Sequence, residues 1–219
     1  MTLLIIDTET NGREPQEVIE LAWLGNGLPF EQRFKPSAPS TWGALAVHNI
    51  LPEELEECPP SSSAALPEDT QYIVGHNVDF DWAALGKPSV KRICTLAIAR
   101  KLYPELDSHK LGSLYYAFNG ATEQTRHNLR NAHSALADVE FCENVLNYML
   151  KDRAPGVPAE AEALWRFSEA CRIPDKMTFG KHKGMLIKDL PNDYKAWMLR
   201  QPDMDEYVLK AVEATYRRR

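Results

Sequence analysis

Short apolar runs alternate with polar, turn-forming stretches along the first 150 residues. Five runs have the length and composition expected of buried or half-buried strands: residues 3–6, 17–24, 30–34, 72–75 and 92–94. Helical patterns begin at residue 80 and cover residues 95–102 and 134–150. In the longest of these, apolar residues recur every three or four positions: Leu136, Val139, Cys142, Leu146 and Met149. Strands interleaved with helices predict an α/β domain.

The stretch RAPGVPAE, residues 153–160, contains two prolines and a glycine after a charged helix end. This composition predicts a linker at residues 154–159. The residues that follow include their own apolar set: Leu164, Trp165, Phe167, Phe179, Trp197 and Met198. We therefore predict one domain at residues 1–153 and a small C-terminal α+β module at residues 160–219.

The composition, 44% hydrophobic and 26% charged, is typical of a soluble globular protein. The sequence has no apolar run long enough to cross a membrane, and its N-terminal residues lack a basic segment and a small-residue cleavage site. The four cysteines lie far apart without paired spacing, which favours reduced packing residues over disulfides or a zinc site. Together these features predict a cytoplasmic protein without a membrane partner.

The net charge of −6 is distributed unevenly along the chain. Residues 1–155 carry 13 Lys and Arg against 21 Asp and Glu, a net of −8, whereas residues 156–219 carry 12 against 10, a net of +2. An acidic part beside a mildly basic part is compatible with a metal-dependent enzyme that acts on a polyanion.

The stretch TLLIIDTETNG, residues 2–12, places Asp7, Glu9 and Asn11 on alternate positions before Gly12. An EF-hand is excluded, because the bidentate Glu that its loop needs at position twelve would be Val18. If strand geometry continues past the apolar run, Asp7 and Glu9 point to the same side. A divalent cation between them would relieve their repulsion, and the alternative is an ordinary solvated turn after a strand.

Further acids lie at two other predicted element ends. In VGHNVDFDWAAL, Asp79 and Asp81 follow a strand and open a helix, whose spacing does not let both point the same way. In NAHSALADVEF, Asp138 lies among small apolar residues and follows His133, so it needs a partner if the helix packs on the sheet. Taken singly, these residues are explained as well by a helix-start acid, the polar edge of a helix and an exposed loop histidine. Their joint occurrence in this order favours a metal site.

Three of these stretches resemble the motifs of the DEDDh, or proofreading-type, 3′–5′ exonuclease superfamily. DTETNG is similar to the first motif, HNVDFD to the second and HSALAD to the third, and the second selects Asp81 over Asp79. ALAVHNI, residues 44–50, is a weaker similarity. The tail, MTFGKHKGMLIKDLP followed by YKAWML, resembles the C-terminal module of exodeoxyribonuclease X-like proteins, so that the resemblance covers nearly the whole chain.

The resemblance implies an RNase H-like fold, with a mixed five-stranded sheet flanked by helices. It also implies two divalent cations, bridged by Asp7, with Glu9 and Asp138 completing one site and Asp81 serving the other. Hard oxygen ligands suit Mg²⁺ or Mn²⁺. His133 would be the general base. The 3′-terminal nucleotide would be held by Thr8, Thr10, Asn11, Gly12, Arg13, Asn77 and Phe80.

The implied function is a metal-dependent 3′–5′ exodeoxyribonuclease that releases nucleoside 5′-monophosphates from single-stranded or duplex DNA 3′ ends, in DNA repair or end processing. Three alternatives stay open: an exoribonuclease of the same superfamily, a non-catalytic nucleic-acid-binding module, and a proofreading subunit acting within a polymerase. Only the resemblance of the tail favours DNA over RNA. The sequence leaves the oligomeric state open.

One position departs from the superfamily pattern. After the Asn11–Gly12 pair the superfamily usually has a bulky apolar residue that stacks on the terminal base, and here the residue is Arg13. A guanidinium also stacks on bases, so Arg13 is predicted to contact the terminal base or the adjacent strand.

The stretch FGKHKG, residues 179–184, is predicted to be a β-turn that presents Lys181, His182 and Lys183 between two glycines. The two lysines are candidate DNA contacts, with the arginines at 217–219 as further candidates. The alternative is a hairpin with a solvated tip.

Overall fold

The structure is a computed structural model, and it describes residues 2–25, 27–130 and 134–216. The chain forms two compact units, Met1–Ser168 and Glu169–Arg219. The strands are β1 (Thr2–Thr10), β2 (Val18–Gly25), β3 (Leu28–Arg33), β4 (Thr70–Gly75) and β5 (Lys91–Cys94). The α-helices of the first part are α1 (Trp42–His48), α2 (Asp79–Ala84), α3 (Thr95–Leu102), α4 (Leu111–Asn119), α5 (Glu123–Arg130) and α6 (Ala135–Arg153). They are followed by α7 (Ala161–Arg172), α8 (Asn192–Met198) and α9 (Glu206–Thr215), and short 3₁₀ turns cover Pro52–Leu55, Ser61–Ser63 and Ile187–Asp189.

The five strands form one mixed sheet in the order β3-β2-β1-β4-β5. β2 is antiparallel to β1 and β3, whereas β4 is parallel to β1 and β5 is parallel to β4. Helices flank the sheet, and the predicted α/β fold with a mixed five-stranded sheet is confirmed. The sequence pattern did not predict α1, α4 and α5. α1 has only seven residues, and α5 is largely polar.

Strand β1 is longer than the apolar run that predicted it, which ended at Ile6. It continues to Thr10 because β2 pairs with this polar part, with Glu9 opposite Glu20. On its other edge β1 pairs with β4 only as far as Ile5, opposite Val74. The polar end of β1 is therefore held by one neighbouring strand, and its other edge is open to side chains from elsewhere in the first unit.

The core of the first unit lies on both faces of the sheet. Its fully buried side chains include Ile6, Ile19, Leu21, Ile73, Ile93, Ile98, Leu114 and Met149. Helix α6 packs across β1 and β2, so its first turn lies close to the polar end of β1. The four cysteines are free and three of them are buried, as expected of packing residues. Within the described residues, no helix is both long and apolar enough to cross a membrane.

The two units divide between Ser168 and Glu169, inside α7, rather than at the predicted linker of residues 154–159. The first half of α7 packs on the sheet. Glu162 accepts a hydrogen bond from the Tyr72 hydroxyl at 2.8 Å and forms an ion pair with Lys91. Ser168 Oγ accepts from the Cys94 N–H at 2.8 Å. Residues 161–168, which the sequence pattern placed in the C-terminal module, thus belong to the first unit.

The second unit has a small core of its own. It consists of Met177, Ile187, Leu190, Met198, Val208, Ala211 and Val212. Of the six apolar residues that the sequence pattern assigned to this module, only Met198 lies in that core, and Phe179 and Trp197 are 41% and 43% exposed. Among residues 169–216 the β pairing is a single bridge, Lys176 with Leu186, so the regular secondary structure of this unit is helical apart from that bridge.

Candidate active site

Three carboxylates converge where the first turn of α6 meets the polar end of β1. Asp7 and Glu9 lie two residues apart on β1 and therefore on one face of the sheet. Asp138 lies in the first turn of α6, which Ser134 begins by accepting a hydrogen bond from the Ala137 N–H at 3.3 Å. One carboxylate oxygen of each acid lies within 4.8 Å of those of the other two, and all three residues are half-buried.

Asp81 approaches from the open edge of β1. Its Oδ1 accepts hydrogen bonds from the Thr8 N–H at 2.9 Å and from the Thr8 hydroxyl at 2.8 Å, and the residue is only 3% exposed. The Asp81 side chain thus occupies the edge that β4 leaves after Gly75. A Cβ at Gly75 would lie 3.1 Å from the Val78 side chain and 3.2 Å from the Ile6 carbonyl oxygen, so the absent side chain permits this tight turn.

Asp79, the other acid of the second motif, has a different environment. It forms an ion pair with Arg92 at 2.5 Å, and its side chain is 41% exposed. The Arg92 guanidinium also lies 4.1 Å from the ring centre of Trp82. Helical spacing therefore separates the two acids as the sequence predicts, with Asp81 buried at β1 and Asp79 in a surface ion pair.

The acids raise one another's pKa. Burial raises the pKa of Asp7 well above its usual range, and the negative charges of Asp81, Asp138, Glu9 and Glu20 add to that effect. Burial, with the charges of Asp138, Glu20 and Asp81, raises the pKa of Glu9 to about 7. Burial also raises the pKa of Asp81, although its hydrogen bonds from Thr8 act in the opposite direction.

This donor set fits a divalent cation. Its ligand atoms are hard carboxylate oxygens, and their mutual repulsion in a half-buried position is relieved when a cation binds between them. Asp7, Glu9 and Asp138 form one such group, and the negative charge of Asp81 adds to the effect of burial on the pKa of Asp7.

Glu20 is a fifth acid, which the sequence analysis did not single out. It lies on β2 opposite Glu9 and is 1% exposed. One of its oxygens accepts from the Ala135 N–H at 2.9 Å and the other from Arg33 Nε at 2.9 Å. Glu20 thereby ties β2 to the start of the helix that bears Asp138. The sequence did contain a signal for Glu20: it is a charged residue inside the apolar run VIELAWL, and a buried charge needs partners.

The loop after β1 is built around Asn11, which is fully buried. Asn11 Oδ1 accepts from the backbone N–H groups of Arg13 (3.2 Å) and Glu17 (3.1 Å), and Nδ2 donates to the Glu17 carboxylate at 3.1 Å. Gly12 follows with φ +68°, and a Cβ there would lie 2.7 Å from the Ala44 side chain. The Asn11 side chain is thus occupied in shaping the loop, and Gly12 lets α1 pack against it.

Among the other predicted substrate contacts, Thr8 and Thr10 are buried, and the Thr8 hydroxyl is committed to Asp81. Phe80, next to Asp81, is 39% exposed, and Asn77 is exposed with φ 75°. Arg13 is exposed, and its Nε donates to the Pro39 carbonyl oxygen at 2.6 Å.

Trp42 was not predicted from the sequence as a site residue. It begins α1, is 86% exposed, and follows Thr41, whose N–H donates to the Asn11 carbonyl oxygen at 2.9 Å. Arg13 and Trp42 thus both extend from the same folded loop region, and both expose flat groups to solvent. No pattern in the sequence marked Trp42, because its exposure depends on how α1 joins that loop.

His133, the predicted general base, lies outside the described residues, immediately before Ser134 and the start of α6. The predicted contacts Lys181 and Lys183 are exposed residues of the second unit. Of the arginines at 217–219, none is among the described residues.

Comparison of the sequence with curated proteins finds relatives over nearly the whole chain. Exodeoxyribonuclease 10 of Escherichia coli (strain K12) is 26% identical over 211 residues, which is 92% of each chain. The PolC-type DNA polymerase III of Bacillus subtilis is 29% identical over 175 residues, which is 70% of this chain and 12% of that protein. A protein family described as "Putative quorum-sensing-regulated virulence factor" matches residues 171–203, within the second unit.

Comparison with solved structures finds the same fold. Exonuclease X in complex with 5′ overhanging duplex DNA aligns with a TM-score of 0.60 at 26% identity, covering 76% of this chain and 99% of that chain. Exonuclease I of E. coli in complex with a dT13 oligonucleotide aligns with a TM-score of 0.54 at 22% identity, covering 71% of this chain and 42% of that chain. At that identity the second likeness concerns the fold alone.

Proposed function

Because the chain belongs to the DEDDh, or proofreading-type, superfamily of 3′–5′ exonucleases, we propose that it is a metal-dependent 3′–5′ exodeoxyribonuclease that releases nucleoside 5′-monophosphates from DNA. The observation that supports this most directly is the convergence of Asp7, Glu9 and Asp138, with Asp81 at the open edge of β1. Four carboxylates from three separate elements serve no packing purpose, and they suit a cation-assisted phosphodiester hydrolysis.

The site depends on divalent metal, and the proposal is that it holds two cations, Mg²⁺ or Mn²⁺. Asp7 would contribute to both positions, Glu9 and Asp138 to one, and Asp81 to the other. When bound, such cations neutralise the phosphodiester, lower the pKa of a water molecule and stabilise the leaving 3′-oxygen. Thr8 keeps Asp81 oriented through two hydrogen bonds, and Glu20 fixes the helix that bears Asp138.

His133 would accept the proton of the attacking water as that water adds to phosphorus. A histidine with its usual pKa of about 6.5 is partly neutral near pH 7 and can take this proton. In the sequence His133 directly precedes Ser134, the cap of the helix that also bears Asp138.

The terminal nucleotide would be held by exposed groups around the acids. Phe80 offers a ring beside Asp81, and Arg13 and Trp42 offer flat surfaces at the loop after β1. Nucleobases stack on aromatic rings and on guanidinium groups with little sequence preference, as an exonuclease requires. The loop that Asn11 and Gly12 shape would present backbone groups to the nucleotide.

DNA is favoured as substrate because the E. coli relative that aligns over 92% of both chains is named an exodeoxyribonuclease. A role in DNA repair or end processing and a location in the cytoplasm are further parts of the proposal. The exoribonuclease alternative rests on the same acids, since they contact the phosphate and not the 2′-position of the sugar.

The test uses 5′-end-labelled single-stranded DNA, duplex DNA and single-stranded RNA of one sequence. Each is incubated with the full chain in Mg²⁺, in Mn²⁺ and in EDTA. A ladder that shortens stepwise from the 3′ end, nucleoside 5′-monophosphate products and no cleavage in EDTA are expected. Internal cleavage, or shortening in EDTA, would contradict the proposal, and faster attack on RNA than on DNA would select the exoribonuclease alternative.

A further inference from the structure

The second unit presents rings and ammonium groups together on its surface. We use the name turn surface for five residues: Lys181, His182 and Lys183 in the turn, and Tyr194 and Trp197 on α8. Both lysines are exposed, and Trp197 is 43% exposed. None of the five belongs to the group of acids in the first unit.

The turn that bears the lysines is a folded hairpin tip. Gly180 and Gly184 adopt φ values of +69° and +87°, left-handed conformations that glycine accepts readily and that help the chain to turn around the lysines. The Lys183 N–H donates to the Gly180 carbonyl oxygen at 3.1 Å, and the Met177 N–H donates to the Met185 carbonyl oxygen at 2.9 Å. The folded backbone therefore fixes the points on the surface from which the two lysine side chains extend.

The rings form a connected row. Tyr194 and Trp197 are three residues apart on α8 and thus on one face, with ring centres 5.3 Å apart and an interplanar angle of 25°. The His182 ring meets Tyr194 edge-on, with centres 4.5 Å apart. Lys181 Nζ lies 5.0 Å from the centre of the Tyr194 ring. The turn and the helix thus share one surface, with Tyr194 at its centre.

Core packing does not account for the exposed part of this row. On α8 the neighbouring residue Met198 is fully buried in the core of the unit, whereas Trp197 is 43% exposed. Phe179 and Met185, on either side of the turn, are each 41% exposed. Large apolar groups exposed together are unusual on a surface without a partner.

The chemistry of the turn surface fits a single-stranded polynucleotide. Single-strand binding sites combine cationic groups that contact phosphates with rings on which unpaired bases stack. A duplex offers its phosphates but keeps its bases stacked inside, so it would use the lysines and leave the rings unoccupied. An acidic polypeptide would likewise engage the lysines, and it has no flat bases for a row of rings.

We propose that the turn surface binds single-stranded DNA, with Trp197 stacking on a base and Lys181 and Lys183 contacting phosphates. This rests on the proposed function, from which DNA is taken as the partner. It assigns the second unit the task of holding a strand, whereas the acids of the first unit hydrolyse it. The turn surface would then raise affinity for strands of several nucleotides without taking part in hydrolysis.

The binding experiment uses the full chain with Asp81→Ala, which prevents digestion, and a labelled twelve-nucleotide dT strand observed by fluorescence anisotropy. Trp197→Ala is expected to weaken Kd by about 5- to 100-fold, the range of one lost base stack. Trp197→Phe keeps a ring and should retain most of the affinity. Lys210→Ala is the matched control for the lysine variants described below, because Lys210 also lies over a tyrosine of this unit, at 4.5 Å, but is paired with Glu206.

An abasic strand of the same length separates stacking from charge. The parent protein should bind it more weakly than dT, and Trp197→Ala should then have no further effect, because there is no base to lose. Equal Kd values of the parent and Trp197→Ala for dT, with both folded by circular dichroism, would overturn the proposal. Equal binding of dT and abasic strands would also overturn it and would indicate a general polyanion site.

The lysines are tested by the salt dependence of Kd for the dT strand. If each contacts one phosphate, Lys181→Ala with Lys183→Ala should reduce the slope of log K against log salt by about 1.4. An unchanged slope would overturn the phosphate contacts. Hydrolysis of p-nitrophenyl thymidine 5′-phosphate by the wild-type chain tests the nuclease proposal alone, so that either proposal can fail without the other.

Discussion

The acid group of the first unit and the turn surface of the second unit carry opposite charges in opposite surroundings. Asp7, Glu9 and Asp138 are half-buried and close together, and burial with the neighbouring negative charges raises the pKa of Asp7 and of Glu9. Lys181 and Lys183 are exposed, on a turn beside aromatic rings. The clustered carboxylates repel one another until a cation binds, whereas the exposed ammonium groups are stabilised by solvent.

This difference separates two tasks. A cation that binds between half-buried like charges stabilises them, so such a group is suited to metal-assisted catalysis. Exposed cations beside rings gain little from a metal but interact well with a polyanion that has flat bases.

Asp81→Ala should lower turnover by about 10³-fold or more, because the loss of a metal ligand removes several kcal/mol of transition-state stabilisation. Asp79→Ala is the matched control, since Asp79 lies two residues away in a surface ion pair with Arg92. It should retain near-normal rates in the labelled-strand assay. Loss of activity in Asp79→Ala with normal activity in Asp81→Ala would show that the second motif is wrongly aligned.

His133→Ala should lower kcat by about 10²–10⁴-fold, with a smaller effect on substrate binding, because a general base acts only in the transition state. The acidic limb of the pH–rate profile should disappear with it. His127→Ala, on the exposed helix α5, serves as control. A His133→Ala enzyme with the parent rate and pH profile would favour the alternative that His133 is an exposed loop residue without a catalytic role.

Glu20→Ala should lower turnover by about ten- to a hundredfold, because the start of α6 loses its anchor and Asp138 shifts. It should also cost about 1–3 kcal/mol in the free energy of unfolding, since the Ala135 N–H loses its partner. Glu20→Gln, which keeps an acceptor, should lose less of both in urea titrations and rate measurements. Parent activity in a folded Glu20→Ala would contradict a positioning role.

The metal-free protein should become less stable as the pH rises from about 4 to above 7. The sign follows from the raised pKa values of Asp7 and Glu9: over that range the folded state binds more protons than the unfolded state, so deprotonation favours unfolding. In EDTA, Tm should therefore fall from pH 5 to pH 8, and less so in Asp7→Asn. Mg²⁺ should raise Tm more at pH 8 than at pH 5.

A metal-free Tm that is constant or rises over that range would contradict the clustering of the acids. Asp79→Asn should keep the parent pH dependence, since Asp79 is paired with Arg92 on the surface.

Arg13→Ala should have the smallest effect, a loss of about two- to tenfold, and a larger one on duplex ends than on single strands. Only a duplex end must be opened before its 3′ nucleotide reaches the acids. Trp42→Ala provides a comparison at the same loop. The measurement is kcat/KM on blunt duplex and single-stranded DNA, and equal losses on both substrates would contradict this role for Arg13.

Much of the first unit could be predicted because its signals are local. Five apolar runs predicted the five strands, and three motifs predicted the superfamily membership, which is confirmed. The choice of Asp81 over Asp79 came from the second motif, and the structure places Asp81 at β1 and Asp79 in an ion pair. The site roles themselves, His133 included, stay predictions.

Other features depend on contacts between residues far apart in the sequence. The apolar run of β1 ends at Ile6, but pairing with β2 continues the strand to Thr10. Glu20 is linked to Ala135 across 115 positions, which no local pattern contains. The start of α7 packs on the sheet through Glu162 and Ser168, so the unit boundary falls past the prolines that predicted a linker.

Local sequence patterns were enough to predict the five strands, helices α2, α3 and α6, the acids and the superfamily to which they belong, because periodicity and motif spacing are properties of neighbouring residues. The exposure of individual side chains, by contrast, follows from tertiary packing. Phe179 and Trp197 are large apolar residues of the kind expected in a core, but they are exposed, and Met177, Ile187 and Met198 fill the core of the second unit instead. Burial is a competition for limited interior volume, and its outcome depends on the packing of the whole unit.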